Sequence, residues 1–146
     1  VPSLEVEHVF NGSKKKVFLA LKSYELYPEY LSTIHASEEI EKERQDADGA
    51  YHFEIKLIKK FFYDIDLYEK SEAELSWKLQ KSNIMKKNDG YWKLSSGGKG
   101  KTKAKYGLDL EFKGFVPRAI TDRVTKTSLP TLFAELQAMI DDLEQA

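Results

Sequence analysis

Three histidines (His8, His35 and His52) and no cysteine make up the chain's whole stock of imidazole and thiol groups. A hydrolytic site needs a nucleophile, a base beside it and a group that orients the base. His52 falls on the charged side of an alternating segment, so it is expected to face solvent. His35 adjoins a charged stretch. His8 shares a face with Leu4, Val6 and Phe10 and is expected to point inward. We read it as a core histidine held by its neighbours, ahead of a catalytic base. No two histidines stand four residues apart and no His-x-His occurs, so no metal site is expected. Without thiolates there is also no disulfide and no cysteine nucleophile.

Asp64 and Asp66 share one side of a strand pattern, and we read them as a solvated face ahead of a pair of catalytic acids. Gly97-Gly98-Lys99-Gly100 lacks the full Gly-x-x-x-x-Gly-Lys-Ser/Thr phosphate loop and joins two strand patterns, so a flexible hairpin is expected. Tyr63, Thr102 and Tyr106 are polar groups on inward-facing positions. Each reads first as a core residue with a satisfied hydroxyl, and second as a group that orients a carbonyl or quinone oxygen. No cofactor is expected.

The elements that would carry these groups follow from hydrophobic spacing. Leu4 to Phe10 alternates as a half-buried strand, and Asn11 or Ser13 can cap a helix with Val17, Phe18 and Leu21 on one face. Lys14, Lys15 and Lys16 open it and read as a solvated turn, or as a contact for an anionic partner. Tyr24, Leu26, Tyr27, Tyr30 and Leu31, with Pro28, predict a second short helix. Residues 34–45 read as an exposed strand, and Asp46-Ala47-Asp48-Gly49 as a hairpin turn.

Tyr51, Phe53, Ile55 and Leu57 alternate against His52, Glu54 and Lys56. Phe61, Tyr63, Ile65 and Leu67 form the next strand; Leu75, Trp77 and Leu79 form another. Asn88-Asp89-Gly90 reads as a turn before a strand with Trp92 and Leu94. The last strand spans about 101–112, with Lys101, Lys103 and Lys105 on one face and Thr102, Ala104, Tyr106, Leu108, Leu110 and Phe112 on the other. Short connections from residue 34 onward force antiparallel neighbours, since a parallel return needs a crossover of about a dozen residues. Pro117 opens a final helix whose stripe runs through Leu129, Leu132, Phe133, Leu136, Ile140 and Leu143, extended backwards by Ile120 and Val124. Pro130 inside it should kink the axis near Lys126.

The pattern gives an α+β chain with a curved antiparallel sheet of six to seven strands around a long C-terminal helix, preceded by two short helices, in a single domain over 1–146. Net charge is −1, so global charge recruits neither DNA nor membrane. No apolar run reaches the roughly 20 residues of a transmembrane helix, and no basic run leads into an apolar one at the start; the lack of cysteine suits a reducing cytoplasm, where the protein is expected.

Several segments carry a family resemblance. Val9 to Phe18 resembles the strand-to-helix opening of the polyketide cyclase/dehydrase families, and Tyr24 to Leu31 resembles their aspartate-then-Tyr-Pro segment. Gly90-Tyr91-Trp92-Lys93-Leu94 resembles their Gly-x-Trp-x-Leu strand, and Thr102 to Tyr106 the threonine-led strand after it. Pro117-Arg118-Ala119-Ile120, through Leu129-Pro130 to Leu136, resembles their final helix. The chain departs from the pattern where Glu25 or Ser23 replaces the usual aspartate, and in its lysine-rich opening. Within the START-like (SRPBCC) superfamily it is most similar to coenzyme Q-binding START-like proteins and ribosome-association toxins.

The resemblance implies a helix-grip fold with a cavity between sheet and helix for a lipid, isoprenoid quinone or polyaromatic molecule. Its expected lining is Phe53, Ile55, Phe61, Tyr63, Ile65, Trp77, Trp92, Thr102, Tyr106, Leu108, Ile120, Val124, Leu129, Phe133 and Leu136. Two alternatives stand beside this binding role. One is a ribosome or protein partner docked on a basic patch of Lys99, Lys101, Lys103 and Lys105; the other is a polyketide aromatase/cyclase.

Overall fold

The computed structural model describes residues 4–56, 59–125 and 128–144, with side chains described in these ranges except at 123–125 and 144. Strand β1 (Leu4–Asn11) leads into helix α1 (Lys14–Leu21). Ser13 caps that helix by accepting a hydrogen bond from the Lys16 N–H at 3.3 Å. Val17, Ala20 and Leu21 are buried beneath it. A 3-10 turn at Tyr24–Leu26 runs into the one-turn helix α2 (Tyr27–Tyr30), with Pro28 in the first turn, where its missing N–H costs nothing. Strands β2 (Ile34–Glu39), β3 (Gly49–Lys56), β4 (Lys60–Ser71), β5 (Glu74–Ser82), β6 (Met85–Gly98) and β7 (Lys101–Phe112) follow, then helices α3 (Arg118–Thr125) and α4 (Leu129–Glu144).

The strands form one seven-stranded sheet in the order β1-β7-β6-β5-β4-β3-β2, antiparallel throughout. β1 returns to pair with β7, placing Val6 opposite Tyr106 and Phe10 opposite Thr102. The two edges are therefore β1 and β2, and α1 and α2 carry the chain from one to the other. Register shifts at Asp64/Ile65, Glu69/Ser71, Met85/Lys87 and Ser96/Gly98 bend the long strands into a half-barrel. Helix α4 sits in its concavity and buries Leu136, Met139 and Ile140.

Five expectations need correction. Asn88-Asp89-Gly90 is no turn; it lies inside β6, where Gly90 pairs with Trp77 on one side and Leu108 on the other. Residues 40–48 do not continue β2. They fold back over the outer side of β4, anchored where the Asp66 carboxylate accepts the N–H groups of Glu43 and Arg44 at 2.9 and 3.2 Å. Asp64 and Asp66 are consequently buried, with exposures of 4% and 0%, not solvated. His52 is not free in solvent either: its Nδ1 lies 2.5 Å from Asp64 Oδ1 and its Nε2 lies 3.3 Å from Glu54 Oε2. Pro130, finally, stands in the first turn of α4 and breaks no ladder; Leu132 N–H still donates to Ser128 O at 2.8 Å. The kink expected near Lys126 falls outside the described residues.

Candidate ligand cavity

Between the concave sheet and α4 lies a cavity of about 390 Å³. The strands supply its walls: Phe53 and Ile55 from β3, Tyr63, Ile65 and Leu67 from β4, Leu75 and Trp77 from β5. Met85, Asn88 and Trp92 come from β6, and Tyr106, Leu108 and Leu110 from β7. Alternation puts every second residue of a strand on this face, so five neighbouring strands deliver an almost wholly apolar surface. Leu132 and Leu136 of α4 cover it, and Leu21, Tyr24, Tyr27 and Leu31 close the side under the first helices. At one end the lining turns polar, with Ser32, Thr33, Ser128, Thr131 and Glu135. Ser32 and Thr131 are exposed, so this end is the mouth.

Two groups of aromatic rings line the space. Tyr106 lies 4.5 Å from Trp92 and 6.1 Å from Trp77, centroid to centroid. In the second group Phe53 stacks on Tyr27 at 5.9 Å and leans on Tyr63 at 5.5 Å. Burial pushes the Tyr63 and Tyr106 hydroxyls well above the ordinary phenol pKa, and the neighbouring Tyr106 adds to the shift at Tyr63. Both phenols are therefore neutral at any physiological pH. At the mouth the Glu135 carboxylate accepts the Ser32 N–H at 3.1 and 3.2 Å; outside the lining, the Tyr30 hydroxyl donates to Asp142 Oδ2 at 2.5 Å.

The expected lining divides. Phe53, Ile55, Tyr63, Ile65, Trp77, Trp92, Tyr106, Leu108 and Leu136 meet at the cavity. Phe61 packs against the core away from it, and Ile120 is buried in α3. Thr102 is fully buried, but its hydroxyl donates to Gly12 O at 2.9 Å and so ties β7 to the start of α1. Leu129 and Phe133 face a second hollow beside β1, where Phe133 stacks on His8 at 4.5 Å. Partial burial there lowers the His8 pKa from 6.5. The side chain of Val124 lies outside the described residues.

The spacing analysis did not place Asn88, Tyr24, Tyr27, Leu31 or Glu135 at the cavity. Asn88 has the same parity as Trp92 on one strand, a signal masked by its likeness to a turn. Tyr24, Tyr27 and Leu31 form the apolar side of the short helices, and only the chain's path from edge to edge brings that side to the cavity.

Lys101 and Lys103 are exposed on the outer face of β7, Lys99 in the turn before it, and Lys105 is half-buried. Glu7 of β1 comes within 3.7 Å of Lys103. No helix among the described residues is long and apolar enough to cross a membrane.

Known structures settle the architecture. A START superfamily protein from Mycobacterium smegmatis superposes with a TM-score of 0.81 at 17% identity, covering 96% of this chain and 97% of its own. The chain has the START-like, helix-grip fold. A protein from Thermus thermophilus matches at 0.80 with 15% identity over 96% and 97% of the two chains. The Zhui aromatase/cyclase from Streptomyces sp. R1128 matches at 0.70 with 12% identity over 97% and 93%. No protein-family model and no curated protein matches the sequence.

Proposed function

We propose that this chain binds a hydrophobic small molecule in the cavity between the sheet and α4. The observation that carries this reading is the cavity itself. Small-ligand sites span about 300 to 1,000 Å³ and are mostly apolar with a few polar groups. The space here holds about 390 Å³ and is walled by Phe53, Ile65, Leu75, Trp92 and Leu108. Burial of each methylene of a ligand contributes about 0.8 kcal/mol, so a short isoprenoid or acyl chain reaches micromolar affinity. The likeness to the M. smegmatis START superfamily protein supports the same reading at the level of fold.

The test is to fill the space. Leu110→Trp and Leu132→Trp push bulk into the lining, whereas Val9→Trp adds it on the outer face, where Val9 is 45% exposed. Titration with a fluorescent polyaromatic should show at least tenfold weaker binding for the first two and unchanged binding for the third. Unaltered affinity in both filled variants, with melting curves like wild type, would sink the reading.

The lysines favour a second reading, a ribosome or other anionic partner. Lys99 and Lys101 stand exposed and make no ion pair among the described residues. Such a contact would weaken steeply with salt, and co-sedimentation with ribosomes at two salt concentrations tests it. A cyclase would use the same cavity. Turnover of a model polyketone, compared with simple retention of it, separates catalysis from carriage.

A further inference from the structure

A polar atom set into an apolar wall costs free energy unless something bonds it. Most inward polar groups here are bonded by the protein. The Tyr27 hydroxyl donates to the Leu21 carbonyl. Trp77 Nε1–H donates to Asn88 Oδ1 at 3.1 Å, and the Asn88 amide reaches Met85 Sδ at 3.5 Å. Tyr63 and Tyr106 are different. Both line the cavity, neither hydroxyl has a hydrogen-bond partner among the described residues, and neither oxygen is shut away from the open space. Tyr24 also lacks a partner, but the Glu69 and Asp48 carboxylates influence its hydroxyl, which sets it apart from the other two.

The charges around the cavity narrow the choice further. Among the described lining residues the sole carboxylate is Glu135, which is at the mouth and engaged with Ser32, and no lysine, arginine or histidine is present. A carboxylate or phosphate drawn inside would lose its water with no described cation to replace it. A pure hydrocarbon would leave two phenol donors facing it unbonded. A neutral phenol offers one donor, and a carbonyl oxygen has two lone pairs, so one oxygen can accept from both tyrosines. The flat rings of Trp77 and Trp92 beside Tyr106, and of Phe53 beside Tyr63, suit a planar body around that oxygen.

Given the ligand-binding role proposed above, we infer that the cavity selects an uncharged, largely apolar molecule whose carbonyl oxygen accepts hydrogen bonds from Tyr63 and Tyr106. Fluorenone, fluorene and fluorene-carboxylate share one ring frame and differ only in the group at issue. Fluorenone should bind wild type about tenfold or more tightly than fluorene, and the carboxylate should be the weakest of the three. Tyr63→Phe and Tyr106→Phe should each cost fluorenone about fivefold, the worth of one hydrogen bond, and should not weaken fluorene, which gains no bond from either hydroxyl. The retained fluorene affinity reports that the cavity is still folded. The carbonyl stretch of bound fluorenone should shift to lower frequency in wild type and return towards its apolar-solvent value in the double variant. Equal affinity for fluorenone and fluorene, or tightest binding of the carboxylate, would overturn this assignment while leaving the cavity a binding site. Failure of all three compounds to bind would overturn the binding role as well.

Discussion

The indole of Trp77 occupies the space that a side chain at Gly90 would need. A Cβ built at Gly90 would lie 2.3 Å from Trp77 Cζ2 and 2.7 Å from Gly107 O. The two residues pair across β5 and β6, so the absence of a side chain on one strand lets the large ring of the other lie down against the sheet. The ring's upper side then forms cavity wall, and its N–H reaches Asn88.

Gly90→Ala should therefore lift the indole into the cavity. Overpacking of this kind costs about 1–3 kcal/mol. We expect a lower melting temperature, a shifted tryptophan emission and weaker ligand binding together. Gly49→Ala is the control: a Cβ there meets nothing within 4 Å, so stability should hold or rise slightly. Equal melting temperatures for wild type and Gly90→Ala would show that the Trp77 position is not fixed by this contact.

Thr102 separates a structural role from a ligand role. Its buried hydroxyl bonds Gly12 O and lies off the cavity. Thr102→Val keeps the shape and removes the donor, leaving a buried carbonyl unsatisfied at a cost of about 1–3 kcal/mol. Urea denaturation should register that loss, and affinity for a cavity ligand should not change. A large fall in affinity with unchanged stability would return Thr102 to the binding surface.

Asp66 acts as the anchor of the 40–48 segment. Burial opposes its charge, but hydrogen bonds from Gln80, from the Glu43 and Arg44 N–H groups and from the Arg44 guanidinium outweigh this and hold its pKa below 3.8. A lowered folded-state pKa gives stability that is complete above the unfolded value and is lost as pH falls through the folded one. Asp66→Ala strands several buried donors and should cost about 2–4 kcal/mol near neutral pH. Asp66→Asn should cost less and should flatten the loss of stability expected of wild type below about pH 4. Parallel acid unfolding curves for wild type and Asp66→Asn would remove this carboxylate from the account.

These acids show where the sequence was legible and where it was not. Alternation named the inward faces of β3, β4, β5 and β7, because burial of one strand face leaves a period-two record in residue type. It could not show that the outward face of β4 is covered too. The cover is an irregular segment, held by side chain to backbone bonds that leave no periodic trace. The same limit applies at Asn88-Asp89-Gly90, where composition suited a turn and tertiary packing of Trp77 decided otherwise. On α4, helical spacing found the buried stripe but could not tell cavity from core. Leu136 meets the cavity, whereas Phe133, three residues away, turns to His8.

His52 titrates in the opposite sense to Asp66. Partial burial disfavours its charge, yet hydrogen bonds to Asp64 and Glu54 prevail and raise its pKa above 6.5. Its stabilisation is complete below the unfolded value and is lost as pH rises through the raised one. Wild type should therefore lose melting temperature as pH rises above about 6.5 and through the raised pKa, and His52→Gln should lose less over the same rise. Identical slopes would show that the His52 charge contributes nothing to folding.

The last prediction concerns access to the cavity. The end of α2 and the segment after it are tied to α4 by two contacts, Tyr30 to Asp142 and the Ser32 N–H to Glu135. Ser32, Thr33 and Glu135 all border the mouth, so a ligand entering the cavity would pass the Ser32–Glu135 tie. Exposed hydrogen bonds of this kind contribute about 1 kcal/mol each, enough to slow opening several-fold without setting affinity. Glu135→Ala should raise association and dissociation rates alike, by about threefold to tenfold, and Tyr30→Phe should add to the effect. The equilibrium constant should move less than either rate, since the Glu135 carboxylate at the mouth is engaged with the Ser32 N–H. Stopped-flow mixing with fluorenone reads both rates, and a change in dissociation alone would mean that Glu135 touches the ligand and does not merely bar its way.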